Sequence, residues 1–499
     1  MTKKVLSILL TVIIIISIFT ACSANNNSHQ QHQLVTQTTT QINPDTTSFK
    51  LSYSQSDSLN PFQSDTLNNQ ILEELVFDSL FTIDESYEIQ PNIATSYSYT
   101  NSTTINVIIE SGIKFSDGTP LTAKDVVTSF YEAKQSPRWK NSLSAIDTAT
   151  ADGDSSIKFH LAYANPNAHK LLTFLISKNK NDKKGYPIGS GRYKFNEGGG
   201  QVYIELNKNY KKEFKPHFIK IELINVTASE SIENAVNIGN ISYAFRDLSS
   251  DSKSRMQCNK KPVNLNNLVY LGVNNYTGIT SNSNIRKAIS LAIDRDILVK
   301  SSYQGYGKCA ESVFNNASKI GKSTAVFSKT ADITAAKQAI SQSGYKDKDL
   351  KINILTNKNA NKKSMAALIK QQLEAVGFKV SINEEKNDRY KSLVENRAFD
   401  IYIGETKIPN DMNLNSFFTK KGATHYGIDT EKSKTSKVYK EYLNSESEIG
   451  SFIIAFSDEM PFIPVLYRQG MICYSKSMHG DMQGYTGNYF SNIEDWYYN

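Results

Sequence analysis

The amino-acid sequence predicts an α/β fold built on mixed sheets. From Phe49 onward, stretches with the alternating pattern of strands take turns with stretches that have the apolar spacing of helices. The chain has 499 residues, of which 39% are hydrophobic, so it can bury two or three cores. No internal repeat is evident in the sequence. We therefore expect mixed sheets in more than one packed body.

Residues 1–21 predict a secretory signal peptide. Lys3 and Lys4 precede the apolar run VLSILLTVIIIISIFT, which is slightly short for a stable membrane span. A small residue then precedes Cys22, which resembles a bacterial lipobox, although Phe19 stands where that pattern usually has Leu. We expect Cys22 to be the lipidated first residue of a protein tethered to the outer face of the cell membrane. An uncleaved signal anchor is the alternative, and in both cases the rest of the chain lies outside the cytoplasm.

Residues 22–48 predict a flexible tether. This segment is rich in Asn, Gln and Thr and almost free of charge, so it cannot bury a core. His29 and His32 lie within it, where solvated spacers are a simpler explanation than metal ligands. A tether between a lipid anchor and a folded body lets the body search for partners near the membrane surface.

The first half of the folded sequence predicts strands and helices in alternation. FKLSYSQ, which begins at Phe49, alternates like a strand, and LNNQILEELVFDSLFTID has apolar residues at helical spacing. TTINVIIESGIKFSDG predicts two strands that end at a glycine-containing turn. TAKDVVTSFYEAKQS predicts a helix that Thr122 caps at its N-terminus, with Asp125 three residues later completing the cap.

The second half repeats the alternation. SNIRKAISLAIDRDILVKSSY and KSMAALIKQQLEAVGF predict helices, and LKINILTN and FKVSINEE predict strands. FDIYIGET and MPFIPVLYR predict two further strands, each of which leads into a loop.

Charge and motifs argue against a nucleic-acid partner and against an enzyme. The net charge of +7 comes from 56 basic and 49 acidic residues without a compact basic stripe. EGGG at 197–200 lacks the Lys-Ser/Thr of a phosphate loop, and GSGRY at 189–193 lacks the spacing of a nucleophile elbow. We expect no enzyme, no cofactor and no bound metal. Paired carboxylates of a glycosidase leave no fixed spacing, so an enzyme on this scaffold stays open as an alternative.

Three cysteines follow the tether, and their spacing matches no metal site. Cys258, Cys309 and Cys473 are far apart in the sequence, so they form at most one disulfide and leave one thiol. The sequence does not assign a pair. We expect all three to act as small buried apolar residues.

Seven segments occur in an order that points to one family. They are LNPF, LVFDSLFTID with IQPNIATSY, GIKFSDGTPLTAKDVVTSF, PIGSGRYKF, NIRKAISLAIDRDILV, IKQQLEAVGFKVSI and MPFIPVLYR. From about Phe49 to the end, the chain resembles the solute-binding lipoproteins of bacterial ABC importers, specifically the oligopeptide-, dipeptide- and nickel-binding type (extracellular solute-binding protein family 5). Tyr97 departs from the pattern, because the family usually has Trp at this place.

The resemblance implies a two-lobed fold of the periplasmic-binding-protein type II, with a ligand cleft between the lobes and an extra domain. The first lobe would combine residues 49–65, 184–261 and 473–499. The extra domain would span residues 66–183, and the second lobe residues 262–472. Two crossover strands would join the lobes, which would close over a ligand by a hinge motion.

The resemblance also indicates where ligand contacts lie. In peptide-binding members, an Asp in a loop that resembles Asp-Tyr-x-x-Pro anchors the amino terminus of the ligand. Without a gap, Lys407 of ETKIPND takes the place of that Asp, and Asp411 takes the role only in a shifted loop. A cation at this position favours an anionic group on the ligand, since a buried charge needs a partner. The alternative is that Lys407 points to solvent.

Further ligand contacts are predicted at the cleft and at the two crossovers. Arg468 would either clamp a carboxylate or tie the hinge. The predicted ligand-binding residues besides Lys407 and Asp411 are Phe62, Thr66, Tyr243, Arg246, Tyr467 and Arg468.

The sequence therefore predicts a monomeric, membrane-tethered carrier that hands a short peptide to an ABC permease complex. The choice of a peptide follows the family, whereas Lys407, Arg246 and Arg468 favour an anionic ligand. A peptide-sensing lipoprotein without transport is the alternative from another class. A carrier of an anionic or metal-chelate ligand is also open.

Overall fold

The computed structural model of the protein describes residues 48–226, 228–249 and 257–498. The predicted signal peptide, the predicted lipidation site Cys22 and the predicted tether up to residue 47 lie outside the described residues. In the described ranges, no helix has both the length and the apolar character needed to cross a bilayer.

The strands lie along the whole described chain. In the first half they are β1 (Phe49–Tyr53), β2 (Phe81–Ile83), β3 (Ile89–Pro91), β4 (Ala94–Asn101), β5 (Thr104–Ile109), β6 (Ile146–Asp152), β7 (Ser156–Leu161), β8 (Ser177–Asn181), β9 (Pro187–Gly189), β10 (Tyr193–Gly198), β11 (Gln201–Leu206), β12 (Lys220–Asn225) and β13 (Tyr243–Arg246). In the second half they are β14 (Asn259–Val273), β15 (Gly307–Cys309), β16 (Lys351–Asn357), β17 (Lys379–Glu385), β18 (Ile401–Lys407), β19 (Phe462–Tyr474), β20 (Met478–His479) and β21 (Tyr497–Tyr498).

The α-helices alternate with these strands. They are α1 (Leu67–Val76), α2 (Ala123–Gln135), α3 (Ser229–Asn237), α4 (Ser283–Ala292), α5 (Arg295–Ser302), α6 (Lys319–Ser323), α7 (Ile333–Ser343), α8 (Ala360–Glu374), α9 (Asn387–Glu395), α10 (Asn415–Phe418), α11 (Lys434–Asn444) and α12 (Ile449–Glu459).

One mixed sheet runs through the molecule in the order β10-β11-β12-β1-β13-β19-β14-β18-β16-β17, and β15 pairs with β19. β1 pairs in parallel with β12 and β13, and β16 pairs in parallel with β17 and β18. The long strands β14 and β19 are antiparallel to each other in the middle of the sheet. The predicted mixed α/β fold is thereby confirmed.

Two large hydrophobic cores flank this pair of long strands. The first core takes Val263 and Leu265 from β14 and Ile472 from β19. The second core takes Leu268 from β14 and Tyr467 from β19. Both strands therefore run from one core into the other, and β19 is buried at every position from Phe462 to Cys473. The predicted lobe and domain boundaries stay predictions.

The antiparallel sheet β4-β5-β7-β6 lies within the predicted extra domain, and its buried residues belong to the first core. Helix α2 packs beside it and begins as predicted. Thr122 precedes the helix, and its backbone N–H and hydroxyl each donate to an Asp125 carboxylate oxygen at 2.8 Å. This contact satisfies a polar group that the helix start leaves free.

The cysteines Cys258, Cys309 and Cys473 are all free thiols. Cys309 and Cys473 are buried, in keeping with the role of small apolar residues, whereas Cys258 is half-buried. None of these three cysteines forms a disulfide in this structure.

Candidate ligand-binding site

A cavity of about 400 Å³ opens between α1, the segment after α2, the loop after β18 and the C-terminal segment. Its volume lies within the range of about 300–1,000 Å³ that small-molecule sites occupy. The first wall consists of α1, Asp78, the segment after α2, Arg192 and the C-terminal segment. The second wall is the loop after β18, with Lys407, Pro409 and Asn410. Asn410 reaches the opposite side, where its amide donates to the Thr173 hydroxyl at 3.4 Å.

A second cavity of about 290 Å³ lies beside the first. It is formed by the β2–β3 turn, the start of β14 and the C-terminal segment, and it shares Ile83 and Thr486 with the larger cavity. Its Lys261 is already paired with Asp481 at 2.9 Å. We take the larger cavity as the candidate site, because both walls contribute side chains to it.

The aromatic side chain of Trp139 lines the cavity on the first wall. The ring of Trp139 packs on Phe62 with centroids 6.0 Å apart, and the Arg138 guanidinium lies 4.3 Å above the Trp139 ring. Such an arrangement combines apolar contact with a cation–π interaction, so the Trp139 ring is held rigidly at the cavity surface.

Two adjacent glutamates, Glu73 and Glu74, both lie close to the Arg138 guanidinium. Arg138 Nη1 lies 3.0 Å from Glu73 Oε2, and Arg138 Nη2 lies 4.0 Å from Glu74 Oε1. The Glu73 side chain is fully buried. Burial raises the pKa of Glu73 to about 8, although the Arg138 charge opposes this rise. Arg138 is therefore fixed within the wall by its contacts with Glu73, Glu74 and the Trp139 ring.

The remaining charges of the first wall are also partnered. Arg192 Nη1 donates to the Phe490 carbonyl at 2.8 Å and lies 3.9 Å from Glu494. Asp78 accepts a hydrogen bond from the Ser190 hydroxyl at 3.0 Å. This wall is thus prebuilt by contacts inside the protein.

Lys407 is the cation of the second wall. Its side chain lines the cavity and has, among the described residues, no hydrogen-bond or ion-pair partner. It is solvent-exposed yet surrounded by protein atoms, as expected for a group inside a concave site. Desolvation lowers the pKa of its ammonium group, the Arg138 charge lowers it further, and Asp247 opposes both. An anion in the cavity would relieve this cost.

Asp411 lies away from the cavity and does not face the same space as Lys407. Its Oδ2 accepts from the Asn165 amide at 2.7 Å, and its Oδ1 accepts from the Asn413 backbone N–H at 3.1 Å. Burial raises the pKa of Asp411 to about 6. In this structure the carboxylate links the loop after β18 to the loop that follows β7.

The two predicted arginines at the crossovers are committed to carboxylates of the protein. Arg468 lies 2.6 Å from Glu405 and 2.8 Å from Asp247, and its side chain is 3% exposed. Arg246 lies 2.8 Å from Glu233. Arg468 therefore links β19 to β18 and to the segment after β13, and its role as a hinge tie stays a prediction.

The other predicted contacts lie in the cores or at a helix start. The Tyr243 hydroxyl donates to the Tyr489 carbonyl at 2.6 Å, and the Tyr467 hydroxyl donates to the Val313 carbonyl at 2.7 Å. Phe62 is buried beneath Trp139, and the Thr66 hydroxyl donates to Asp57 at 2.6 Å. Of the eight predicted ligand contacts, Lys407 is the one that lines the larger cavity.

The described residues contain no group of three or more His, Cys, Asp or Glu side chains that would hold a metal ion. Among these residues, neither His nor Cys lines the larger cavity. Its polar groups are carboxylates, amides, hydroxyls and cations, which suit hydrogen bonding to an organic solute.

The family model for bacterial extracellular solute-binding proteins, family 5 (middle region), matches residues 88–426. This protein belongs to that family. The family consists of binding proteins rather than enzymes, in agreement with the sequence prediction. Membership of this extracellular family also places the protein outside the cytoplasm.

Curated relatives differ in what their names say they bind. The nickel-binding protein NikA of Staphylococcus aureus is 28% identical over 64% of this chain and 66% of the relative. The oligopeptide-binding protein AppA of Bacillus subtilis is 24% identical over 62% and 63%. The glutathione-binding protein GsiB of Pectobacterium atrosepticum is 22% identical over 65% and 66%. The chain thus matches slightly less than two thirds of the length of these relatives.

Solved structures share the fold. CtaP from Listeria monocytogenes, a substrate-binding protein of an ABC transporter, has a TM-score of 0.72 at 20% identity, covering 90% of this chain and 99% of that chain. MppA, a murein tripeptide-binding protein in its unliganded open form, has a TM-score of 0.74 at 18% identity over 90% and 97%. The predicted fold class is thereby confirmed.

Sequence reasoning missed three residues of the first wall of this family 5 protein. Glu73 and Glu74 interrupt the apolar helical pattern of α1 between Leu72 and Leu75, and this interruption was a usable signal. Arg138 follows a helix end without any periodic pattern. Its pairing with α1 depends on tertiary contact alone.

Proposed function

We propose that this family 5 protein captures a short peptide outside the cytoplasm and delivers it to an ABC importer, while Cys22 carries a lipid anchor. The observation that carries the proposal is the cavity between the two walls, in which Lys407 is a cation without a hydrogen-bond or ion-pair partner in the part of the chain that the structure describes. A peptide carboxylate is a partner of matching charge. Because the free cation pays a desolvation penalty, an anionic group on the ligand gains from both the ion pair and its hydrogen bonds.

The chemistry of the cavity supports a peptide more than a bare nickel ion. Imidazole and thiolate side chains are common ligands of nickel, and the described residues that line the cavity include neither. A peptide needs apolar surface, hydrogen-bonding groups and charges at its ends. Trp139, Asn410 and Lys407 offer these three kinds of contact.

Hinge closure is the proposed mechanism of capture. Lys407 stands on the second wall and Trp139 on the first, and β14 and β19 connect the cores behind them. A ligand that contacts both walls favours the closed state in proportion to its extra contacts there. The importer would then recognise the closed form.

Native mass spectrometry of gently purified protein tests the proposal, together with thermal-shift screening. The screen compares a tripeptide library, glutathione and a nickel–histidine mixture. We expect tripeptides to raise the melting temperature and nickel–histidine to leave it unchanged. Empty cavities in repeated preparations, combined with no shift by any peptide, would contradict the peptide ligand. Peptide binding without peptide uptake in cells would instead favour a sensing lipoprotein.

A further inference from the structure

Glu74 faces the larger cavity with a carboxyl oxygen that lacks a full partner. Glu74 Oε2 accepts a hydrogen bond from the Tyr489 backbone N–H at 2.8 Å. Its other oxygen, Oε1, makes no hydrogen bond to any described residue, and its nearest cation is Arg138 at 4.0 Å. Arg138 is itself closer to Glu73, at 3.0 Å. The Glu74 side chain is 7% exposed, and it lines the cavity.

Glu74 and Lys407 offer opposite charges on opposite walls. Among the described residues, Lys407 has no hydrogen-bond or ion-pair partner, and Glu74 Oε1 has no hydrogen-bond partner. A ligand with one anionic and one cationic end satisfies both groups at once. A ligand with a single charged end would leave one of the two groups without a partner in the partly desolvated cavity, which is unfavourable.

We propose that the cavity binds a zwitterion, with Glu74 holding the amino terminus of a short peptide and Lys407 holding its carboxylate. This inference rests on the proposed peptide-binding function. It assigns recognition of the peptide's amino terminus to Glu74 on α1, whereas the family resemblance predicted this contact in the loop after β18.

The groups around Glu74 set the pKa of its carboxyl group and therefore decide whether it carries a proton before a ligand binds. The charged and titratable groups that face it are Glu73 on α1, Arg138 after α2, Arg192 after β9, Tyr243 on β13 and Tyr489 in the C-terminal segment. Burial raises the pKa of Glu74 to about 7, and Arg138, the Tyr489 N–H and Arg192 oppose that rise. Near neutral pH the empty cavity therefore holds a proton on part of the Glu74 carboxyl groups. A bound ammonium group lowers the pKa and displaces that proton.

Isothermal titration calorimetry with two defined probes tests this assignment. Trialanine carries both charges, whereas N-acetyl-trialanine lacks the ammonium group. The proteins are the wild type, Glu74→Gln, and the matched control Glu441→Gln, which alters an exposed glutamate on α11. We expect Glu74→Gln to weaken trialanine binding by about tenfold or more and to leave N-acetyl-trialanine binding unchanged. The control should bind both probes like the wild type.

The pH profile gives a second readout. Trialanine affinity of the wild type should rise several-fold from about pH 5.5 to about pH 7.5, because deprotonated Glu74 binds the ammonium group. Glu74→Gln should lose most of this rise. Glu74→Asp keeps the carboxylate, and we expect it to retain part of the preference for trialanine over the acetylated probe.

The outcomes separate the two proposals. If Glu74→Gln, folded by circular dichroism, binds trialanine as tightly as the wild type, the zwitterion assignment is wrong and peptide binding stands. If the wild type binds both probes with equal affinity and without pH dependence, the assignment is also wrong. If neither probe nor any library tripeptide binds the wild type, both proposals fail.

Discussion

The two walls of the cavity differ in how their charges are satisfied. On the first wall, Arg138 pairs with Glu73 at 3.0 Å, and Arg192 donates to the Phe490 carbonyl at 2.8 Å. On the second wall, Lys407 has no partner among the described residues. The first wall is stabilised by contacts inside the protein, whereas the second presents a charge that a ligand can satisfy. Loss of Arg138 should therefore reduce the stability of the fold, and loss of Lys407 should reduce binding.

The largest effect is expected for Arg138→Gln, which removes the cation from the first wall. Loss of the partner of a buried charge costs about 3–5 kcal/mol of the free energy of unfolding, so we expect about 3 kcal/mol at about pH 9. Glu73 has a pKa of about 8 in the folded protein. The pKa of a glutamate in the unfolded chain is about 4.3, so the free energy of unfolding falls as the pH rises from this value to the folded pKa. Loss of Arg138 raises the pKa of Glu73 further and therefore extends this fall to higher pH.

Urea unfolding at about pH 6 and pH 9 checks this prediction. The loss should be smaller at the lower pH, where Glu73 is protonated. Arg389→Gln, on the exposed face of α9, is the matched control and should change stability little. An equal loss at both pH values would contradict the assigned role of Glu73.

A binding effect of about tenfold is expected for Lys407→Met on the second wall. The change should weaken binding of trialanine, since its carboxylate loses an ion pair, and leave trialanine amide unaffected. The free energy of unfolding should stay the same or rise, because a cation with a desolvation-lowered pKa is removed. Calorimetry and thermal unfolding measure the two quantities. The control is Lys437→Met on the exposed face of α11. Destabilisation without a change in binding would reverse the comparison of the walls.

The smallest effect is expected for Asp411→Asn, which separates the two candidates of the ETKIPND segment. Trialanine affinity should not change, because Asp411 is buried against Asn165 and not in the cavity. The pKa of Asp411 is about 6 in the folded protein. It is about 3.9 when unfolded, so its contribution lowers stability as pH rises between these values, and the variant should lose that slope. Thermal unfolding at several pH values measures the slope. A marked loss of trialanine binding would restore the shifted-loop alternative.

The sequence located the ETKIPND loop but not the roles of its charges. Lys407 ends β18 and Asp411 follows in the loop, and no periodic pattern indicates which of them faces the cavity. The partners decide the matter. Asn165, from a distant segment, donates a hydrogen bond to Asp411, whereas no carboxylate of the described residues lies within ion-pair distance of Lys407.

The arginines show the same limit. Arg468 resembled a ligand clamp, yet Glu405 on β18 and Asp247 after β13 converge on it in the folded chain. Each partner is more than sixty positions away from Arg468 in the sequence. The spacing of residues along the chain does not predict ion pairs over such separations.

By itself, the sequence determined what depends on local chemistry. Alternation and helical spacing predicted the mixed α/β fold, and Thr122 with Asp125 marked the start of α2, because a helix end must satisfy its own polar groups within a few residues. Only the tertiary structure decided which charges are free. Arg138 is held by Glu73, Arg468 is held by two carboxylates, and Lys407 has no side-chain partner among the described residues. Those outcomes depend on which distant side chains share one small volume, where burial strengthens every charge interaction.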